Sequence, residues 1–222
     1  MLAVGFLGYY LASYLDLLGL EYISAQLERL TLFTYPTMVA ILAALFLKEK
    51  LTRWILFSLA LSYAGLWVMY GQELAIASGD NVIKGVLLVL GSALSYSIYV
   101  ILAKPMIQRV GSQLFTSIAM LGSTLFVAIH VLGMEAIDFS AIPSKVYVYS
   151  FLLAFLCTVL PSYMITAAIA QIGATRTTVL GSVGPVFTII LAVFSLGEPF
   201  GLMYLLGVCL VLGGVTLVTI KK

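Results

Sequence analysis

Long apolar runs, separated by short polar connections, make up most of this chain. Eight runs have roughly the 20-residue length that a helix needs to cross a bilayer. They cover residues 2–22, 26–47, 53–71, 83–103, 113–132, 147–170, 175–196 and 200–220. Because the runs are continuously apolar rather than alternating, they predict helices and not the strands of a barrel. The expected fold class is all-α: a polytopic membrane helical bundle with eight transmembrane helices.

Composition supports this interpretation and argues against several classes of function. The 222 residues are 63% hydrophobic and only 9% charged, which is too few charges to cover a soluble globule, so the bilayer is the expected solvent. A net charge of +2, without a basic cluster, argues against a nucleic acid partner. The chain has no metalloprotease, hydrolase or nucleotide-binding motif. We therefore expect no enzymatic activity, no catalytic residues, no cofactor and no metal.

A weak internal repeat relates the two ends of the chain. Shifting residues 2–68 by 149 positions places them on residues 151–217 without gaps. The identical pairs include Tyr14/Tyr163, Ala25/Ala174, Pro36/Pro185, Glu49/Glu198 and Gly65/Gly214. A repeat of membrane spans is typical of secondary transporters.

The positions of lysine and arginine predict that both termini of this chain are cytoplasmic. With the N-terminus inside, eight of the eleven basic residues fall in inside segments, as the positive-inside rule requires. Residues 48–53 are basic whereas the matching residues 197–202 are not, so the repeats are expected to be inverted. We expect a first repeat at 1–71 with three helices, an outer loop at 72–82 and a second repeat at 83–222 with five. The unequal count predicts that the first repeat lacks two N-terminal helices; a native eight-helix protein is the alternative.

Two stretches of the chain resemble a known family. Residues 24–30, 35–36 and 43–52 read SAQLERL, YP and AALFLKEKLT, and residues 184–185 and 196–199 read GP and LGEP. These resemble the EamA-type signature of the drug/metabolite transporter superfamily, an apolar helix with a central proline that ends in Leu-Gly-Glu and a short basic turn. The resemblance implies ten helices in two inverted repeats within a bacterial inner (plasma) membrane. The first two of those helices would be the absent pair.

The same resemblance implies a function. A member of this family is expected to be a secondary-active transporter that exports small metabolites, such as amino acids or related compounds, by alternating access between the inverted repeats. Its partners would be a small-molecule substrate and the lipid bilayer, and proton coupling and a homodimer are compatible with that role. The alternative is a non-transporting membrane scaffold or a truncated, inactive remnant of such a transporter.

One acidic residue within a predicted span is the first candidate for a working residue. Asp16 is the only acid that lies clearly inside a span, and an ionisable group at that depth predicts a function. Asp16 would carry a proton or contact a cationic substrate group. Alternatively, it forms a structural pair with Arg29, which follows Glu28 on the next helix.

Two prolines and several polar side chains complete the candidates. Pro36 and Pro185 fall within predicted helices, where each removes a backbone hydrogen bond, so we expect these helices to line the substrate path; the alternative is a kink that serves packing alone. The remaining pathway candidates are Tyr14, Glu28, Arg29, Tyr35, Tyr96, Tyr99, Tyr163, Gln171 and Ser182. Glu49 and Glu198 end paired helices and are expected to be structural caps of the helices that follow.

Overall fold

The chain folds into apolar helices. A computed structural model describes residues 1–47, 53–76, 79–133, 142–172 and 201–220, together with residues 187, 191, 193–195 and 197. Every regular element in these ranges is a helix and none of the described residues lies in a strand, which confirms the predicted all-α class. Within them, four helices are long and apolar enough to cross a bilayer: Leu2–Leu20, Asn81–Val110, Ser112–Gly133 and Ser144–Ala168. The protein is therefore a multi-pass membrane protein.

The described elements follow the predicted spans with a few differences in their bounds. They are α1 (Leu2–Leu20), α2 (Ala25–Leu32), α3 (Tyr35–Leu47), α4 (Arg53–Ile76), α5 (Gly79–Val110), α6 (Ser112–Gly133), α7 (residues 144–172) and α8 (Leu202–Ile220). Within α1 the segment Phe6–Leu11 is a π-helix, and within α7 the segment Leu153–Val159 is another. The predicted span 175–196 lies outside the described residues, apart from isolated positions.

The helix predicted over residues 26–47 is divided in two. It breaks at Phe33 and Thr34, because Pro36 has no N–H to donate to the preceding turn. The backbone at the break is bonded locally: the Thr34 N–H donates to the Thr31 carbonyl at 3.1 Å, and the Thr34 hydroxyl donates to the same carbonyl at 2.7 Å. The threonine side chains at the break before Pro36, Thr31 and Thr34, are themselves buried.

The helix predicted over 83–103 is longer than expected. It runs from Gly79 to Val110 and passes through Pro105. It ends at Gly111, which has a φ of +82°, a left-handed conformation that favours glycine and stops a helix. The Gly111 N–H donates to the Ile107 carbonyl at 2.9 Å, so a carbonyl of the last turn is satisfied.

Helix α1 lies between α5 and α6, where hydroxyl groups and glycines bring the backbones close together. The Ser92 hydroxyl donates to the Ala12 carbonyl at 2.8 Å, and the Ser95 hydroxyl donates to the Leu7 carbonyl at 2.8 Å. Gly5 of α1 lies directly against the backbone of Ala119 on α6. Close approach through small residues, with serines bonding across helices, is how membrane helices associate.

A second close pair, α4 and α8, supports the other side of the bundle. These helices meet at Gly65 and Gly207, and Val211 and Val215 are fully buried beside them. Helix α7 is the least enclosed of the described spans. It packs on α6 through a 2.8 Å hydrogen bond between the Thr166 and Thr116 hydroxyls, while residues 143–158 are exposed.

Candidate functional site

The end of α1 and the start of α2 bring together two acids and a base. A short turn at residues 21–24 joins the helices, and the Ser24 side chain accepts from the Leu27 N–H at 3.2 Å to cap α2. This cap fixes the first turn of α2, which carries Glu28. Glu28 is only 3% exposed, and its carboxyl group interacts with that of Asp16 on α1.

Arg29 completes this charged cluster. Its Nε lies 3.8 Å from Oε2 of Glu28, and its charge also attracts the carboxyl group of Asp16. The sequence suggested either a working Asp16 or a structural pair between Asp16 and Arg29. In the structure Glu28 takes part in both arrangements, because its carboxyl group interacts with that of Asp16 and its Oε2 lies 3.8 Å from Nε of Arg29.

One oxygen of Asp16 lacks a hydrogen-bond partner. Oδ1 of Asp16 is buried and, among the residues that the structure describes, accepts no hydrogen bond. A buried carboxyl oxygen without a donor costs free energy, and such an atom in a native protein calls for an explanation such as a proton, an ion or a substrate group. This atom supports Asp16 as a candidate working residue.

Three of the predicted tyrosines lie in one aromatic cluster. The ring centroids of Tyr35 and Tyr96 are 5.2 Å apart, and those of Tyr96 and Tyr99 are 5.5 Å apart. The sequence analysis missed a fourth member, Tyr9, whose hydroxyl accepts from that of Tyr99 at 3.1 Å. Tyr35 opens α3 directly before buried Pro36, so this cluster adjoins the break between α2 and α3.

Tyr14 belongs to a different cluster on the α6 side of α1. Its ring lies 5.0 Å from that of His130, between centroids. The hydroxyl of Tyr10 is 2.8 Å from Nδ1 of the same histidine. The structure therefore separates Tyr14 from Tyr35, Tyr96 and Tyr99, although all four were candidates for one pathway.

Tyr163 and Gln171 line a common cleft between α6 and α7. The cleft has a volume of about 400 Å³ and is also lined by Ser112, Gln113 and Met164. The Tyr163 hydroxyl is 2.6 Å from the Ser117 hydroxyl, which fixes the ring at one wall. A cleft of this size, with hydroxyl and amide groups on an apolar lining, is large enough for a small metabolite.

Four of the predicted residues cannot be placed. Ser182, Pro185, Glu49 and Glu198 lie outside the described residues. Within the described ranges, no group of three or more His, Cys, Asp or Glu side chains is arranged to hold a metal ion. The candidate site thus consists of the charged cluster, the aromatic cluster beside Pro36 and the cleft at Tyr163.

Comparison with known sequences supports a transporter. Residues 1–71 and 83–220 match the model of the EamA-like transporter family. The chain is 28% identical over 203 residues to the uncharacterized transporter YcbK of Bacillus subtilis, covering 90% of this chain and 65% of that relative. It is 26% identical over 219 residues to the uncharacterized transporter sll1319 of Synechocystis, covering 97% of this chain and 65% of that relative. The chain thus spans just under two thirds of the length of these two relatives.

A solved structure supports the fold. The fold is similar to that of a crystal structure described only as that of a protein. The alignment covers 99% of this chain and 77% of the chain in that crystal structure, with a TM-score of 0.67. The sequence identity is 16%, so this likeness concerns the fold alone.

Proposed function

Because this chain belongs to the EamA-like transporter family, we propose that it is a secondary-active exporter of small metabolites, such as amino acids or related compounds, in a bacterial inner membrane. Transport would proceed by alternating access between the two inverted repeats, with both termini in the cytoplasm. Proton movement through the charged cluster would supply the driving force.

The observation that carries the proton proposal is the position of the Asp16 and Glu28 carboxyl groups, which interact with each other at a largely buried place with Arg29 as the neighbouring base. Two ionised carboxylates that lie together in a low-dielectric site repel each other, so one of the two is expected to hold a proton. With one proton on the pair and the positive charge of Arg29 nearby, the cluster is neutral. Loss of the proton would leave one net negative charge at a largely buried position, which the bilayer interior disfavours.

This charge balance links the cluster to the substrate. A cationic group of a substrate could replace the shared proton, because Asp16 keeps a buried oxygen without a donor. Proton and substrate would then compete for the same carboxyl pair, and the exchange of one for the other would couple inward proton flow to outward transport.

The test is transport by inside-out membrane vesicles, with a panel of labelled L-amino acids and related metabolites. We expect uptake driven by a proton gradient, lost when an uncoupler is added. Asp16→Asn and Glu28→Gln should each slow this uptake at least about tenfold, a change of about 1.4 kcal/mol in the barrier. Glu21→Gln is the matched control, because Glu21 lies in the turn that joins α1 to α2 and is exposed.

Three outcomes would count against the proposal. Uptake that does not respond to the uncoupler would remove proton coupling. Equal, small effects of Asp16→Asn and Glu21→Gln would leave Asp16 as a structural residue. If the protein moves no member of the panel, a non-transporting scaffold becomes the better explanation, and the exposed side of α7 is where such a scaffold would meet a partner.

A further inference from the structure

Among the described residues, two of the spanning helices contain a π-helical turn. In α1 the Ala12 N–H donates to the carbonyl of Leu7, and in α7 the Leu160 N–H donates to the carbonyl of Phe155. Both bonds connect residues five apart instead of the four apart of an α-helix, so each turn holds one extra residue. Such turns account for well under 1% of residues in proteins and are often found at functional sites.

The two π-helical turns occupy equivalent positions of the internal repeat. The shift of 149 positions that relates the repeats places residues 6–11 on residues 155–160. The second π-helical turn, Leu153–Val159, overlaps this range. Each turn is followed within four residues by a tyrosine of the matched pair Tyr14/Tyr163. The extra residue therefore sets the direction in which these pathway side chains point.

The surroundings of the two turns differ. The turn in α1 is held by α5, because Ser95 donates to the Leu7 carbonyl and Ser92 donates to the Ala12 carbonyl, both at 2.8 Å. Gly8, in the same turn, lies directly against the ring of Tyr99. In α7, by contrast, residues 151–158 are all exposed. One turn is fixed by its neighbours, whereas the side chains of the other lie on the outside of the described part of the bundle.

We propose that the π-helical turn at Leu153–Val159 is the hinge of α7 in the transport cycle, and that the turn at Phe6–Leu11 is its fixed counterpart. The proposal rests on the transport function proposed above. When the extra residue moves along the helix, the residues that it passes turn by up to about 100° relative to both flanks, the angle between successive residues of an α-helix. Movement of the extra residue past Tyr163 would therefore turn this side chain, and with it one wall of the cleft, relative to the two ends of α7.

The sharpest test is to delete one residue from the hinge. Deletion of Phe155 would convert the π-helical turn into an α-helical one and keep both flanks in phase, since the turn holds one residue too many. The 2.8 Å bond between Thr166 and Thr116 should therefore survive. Deletion of Ile165 is the matched control: it removes a residue from regular α-helix and turns Thr166 away from its partner.

The expected results separate folding from transport. The Phe155 deletion should elute as a single species at the wild-type position and melt at the wild-type temperature, but transport at least tenfold more slowly. The Ile165 deletion should lower the melting temperature. Wild-type transport by the Phe155 deletion would overturn the proposal, and so would a Phe155 deletion that unfolds as the Ile165 deletion does. A wild-type protein that transports nothing would instead overturn the proposed function.

Discussion

The crossing of α4 and α8 allows a quantitative prediction about how closely these helices must approach. A Cβ atom added at Gly65 would lie 2.7 Å from the carbonyl oxygen of Gly207 and 2.8 Å from a methyl carbon of Val211. Both distances are shorter than van der Waals contact, and the first involves backbone, which cannot rotate away. Gly65→Ala therefore forces the two helices apart by several tenths of an ångström.

The expected cost follows from two opposing effects. Overpacking of a well-packed contact costs about 1–3 kcal/mol. The higher helix propensity of alanine offsets up to about 1 kcal/mol of this loss in stability. The net loss should be about 1–2 kcal/mol, which for a chain of this length lowers the melting temperature by roughly 2–8 °C.

Gly71 on the same helix is the control. Nothing lies within 4 Å of a Cβ added at Gly71, so Gly71→Ala should leave the melting temperature unchanged or raise it slightly. The assay is fluorescence-detected size-exclusion chromatography of the detergent-purified protein after heating to a series of temperatures. Equal shifts for Gly65→Ala and Gly71→Ala would refute the close crossing of α4 and α8.

Three further predictions use single buried hydrogen-bonding groups and the same melting assay. Thr34→Val removes the 2.7 Å hydrogen bond to the Thr31 carbonyl and should lower the free energy of unfolding by about 0.6 kcal/mol, the average for side-chain hydrogen bonds between membrane helices. A melting temperature above that of the wild type would contradict this prediction. Tyr10→Phe removes the 2.8 Å bond to His130 and should lower stability by a similar amount, whereas no change would show that this contact contributes nothing. Ser62→Ala should be neutral or stabilising, because the Ser62 hydroxyl is buried without a hydrogen-bond partner in the described residues; a loss above about 1 kcal/mol would show that it has one.

Much of the helical architecture could be predicted from hydropathy alone. The predicted spans 2–22 and 113–132 lie within two residues of the observed Leu2–Leu20 and Ser112–Gly133. A bilayer forces this agreement, because backbone groups in lipid must bond within their own helix. The division at Phe33 and Thr34 was only partly foreseen. Proline predicts a disturbed turn, but where the helix stops depends on which neighbouring hydroxyls satisfy the freed carbonyls.

The π-helical turns and the acid pair could not be predicted, for a physical reason. No particular residue type in the sequence predicts a turn with one extra residue. At Phe6–Leu11 the turn is held by serine hydroxyls that approach from α5. The interaction between the Asp16 and Glu28 carboxyl groups depends on the geometry of the turn at residues 21–24, which brings positions twelve apart close together. Tyr9 was missed for the same reason, because the direction of its side chain is set inside the π-helical turn.

Buried polar groups among the described residues differ in whether their hydrogen bonding is complete, and this difference is one reason to test Asp16 as a functional residue. The hydroxyls of Thr31, Thr34 and Ser92 donate to backbone carbonyls at 2.7–2.8 Å, so they close the hydrogen bonding of the helices and leave nothing for a substrate. Asp16 differs, because its carboxyl group lies beside that of Glu28, a pair that we propose shares a proton, and its Oδ1 has no donor among the described residues. In lipid an unsatisfied carboxyl oxygen is costly, and it persists only where a changing partner, such as a proton or a substrate cation, satisfies it during part of a cycle.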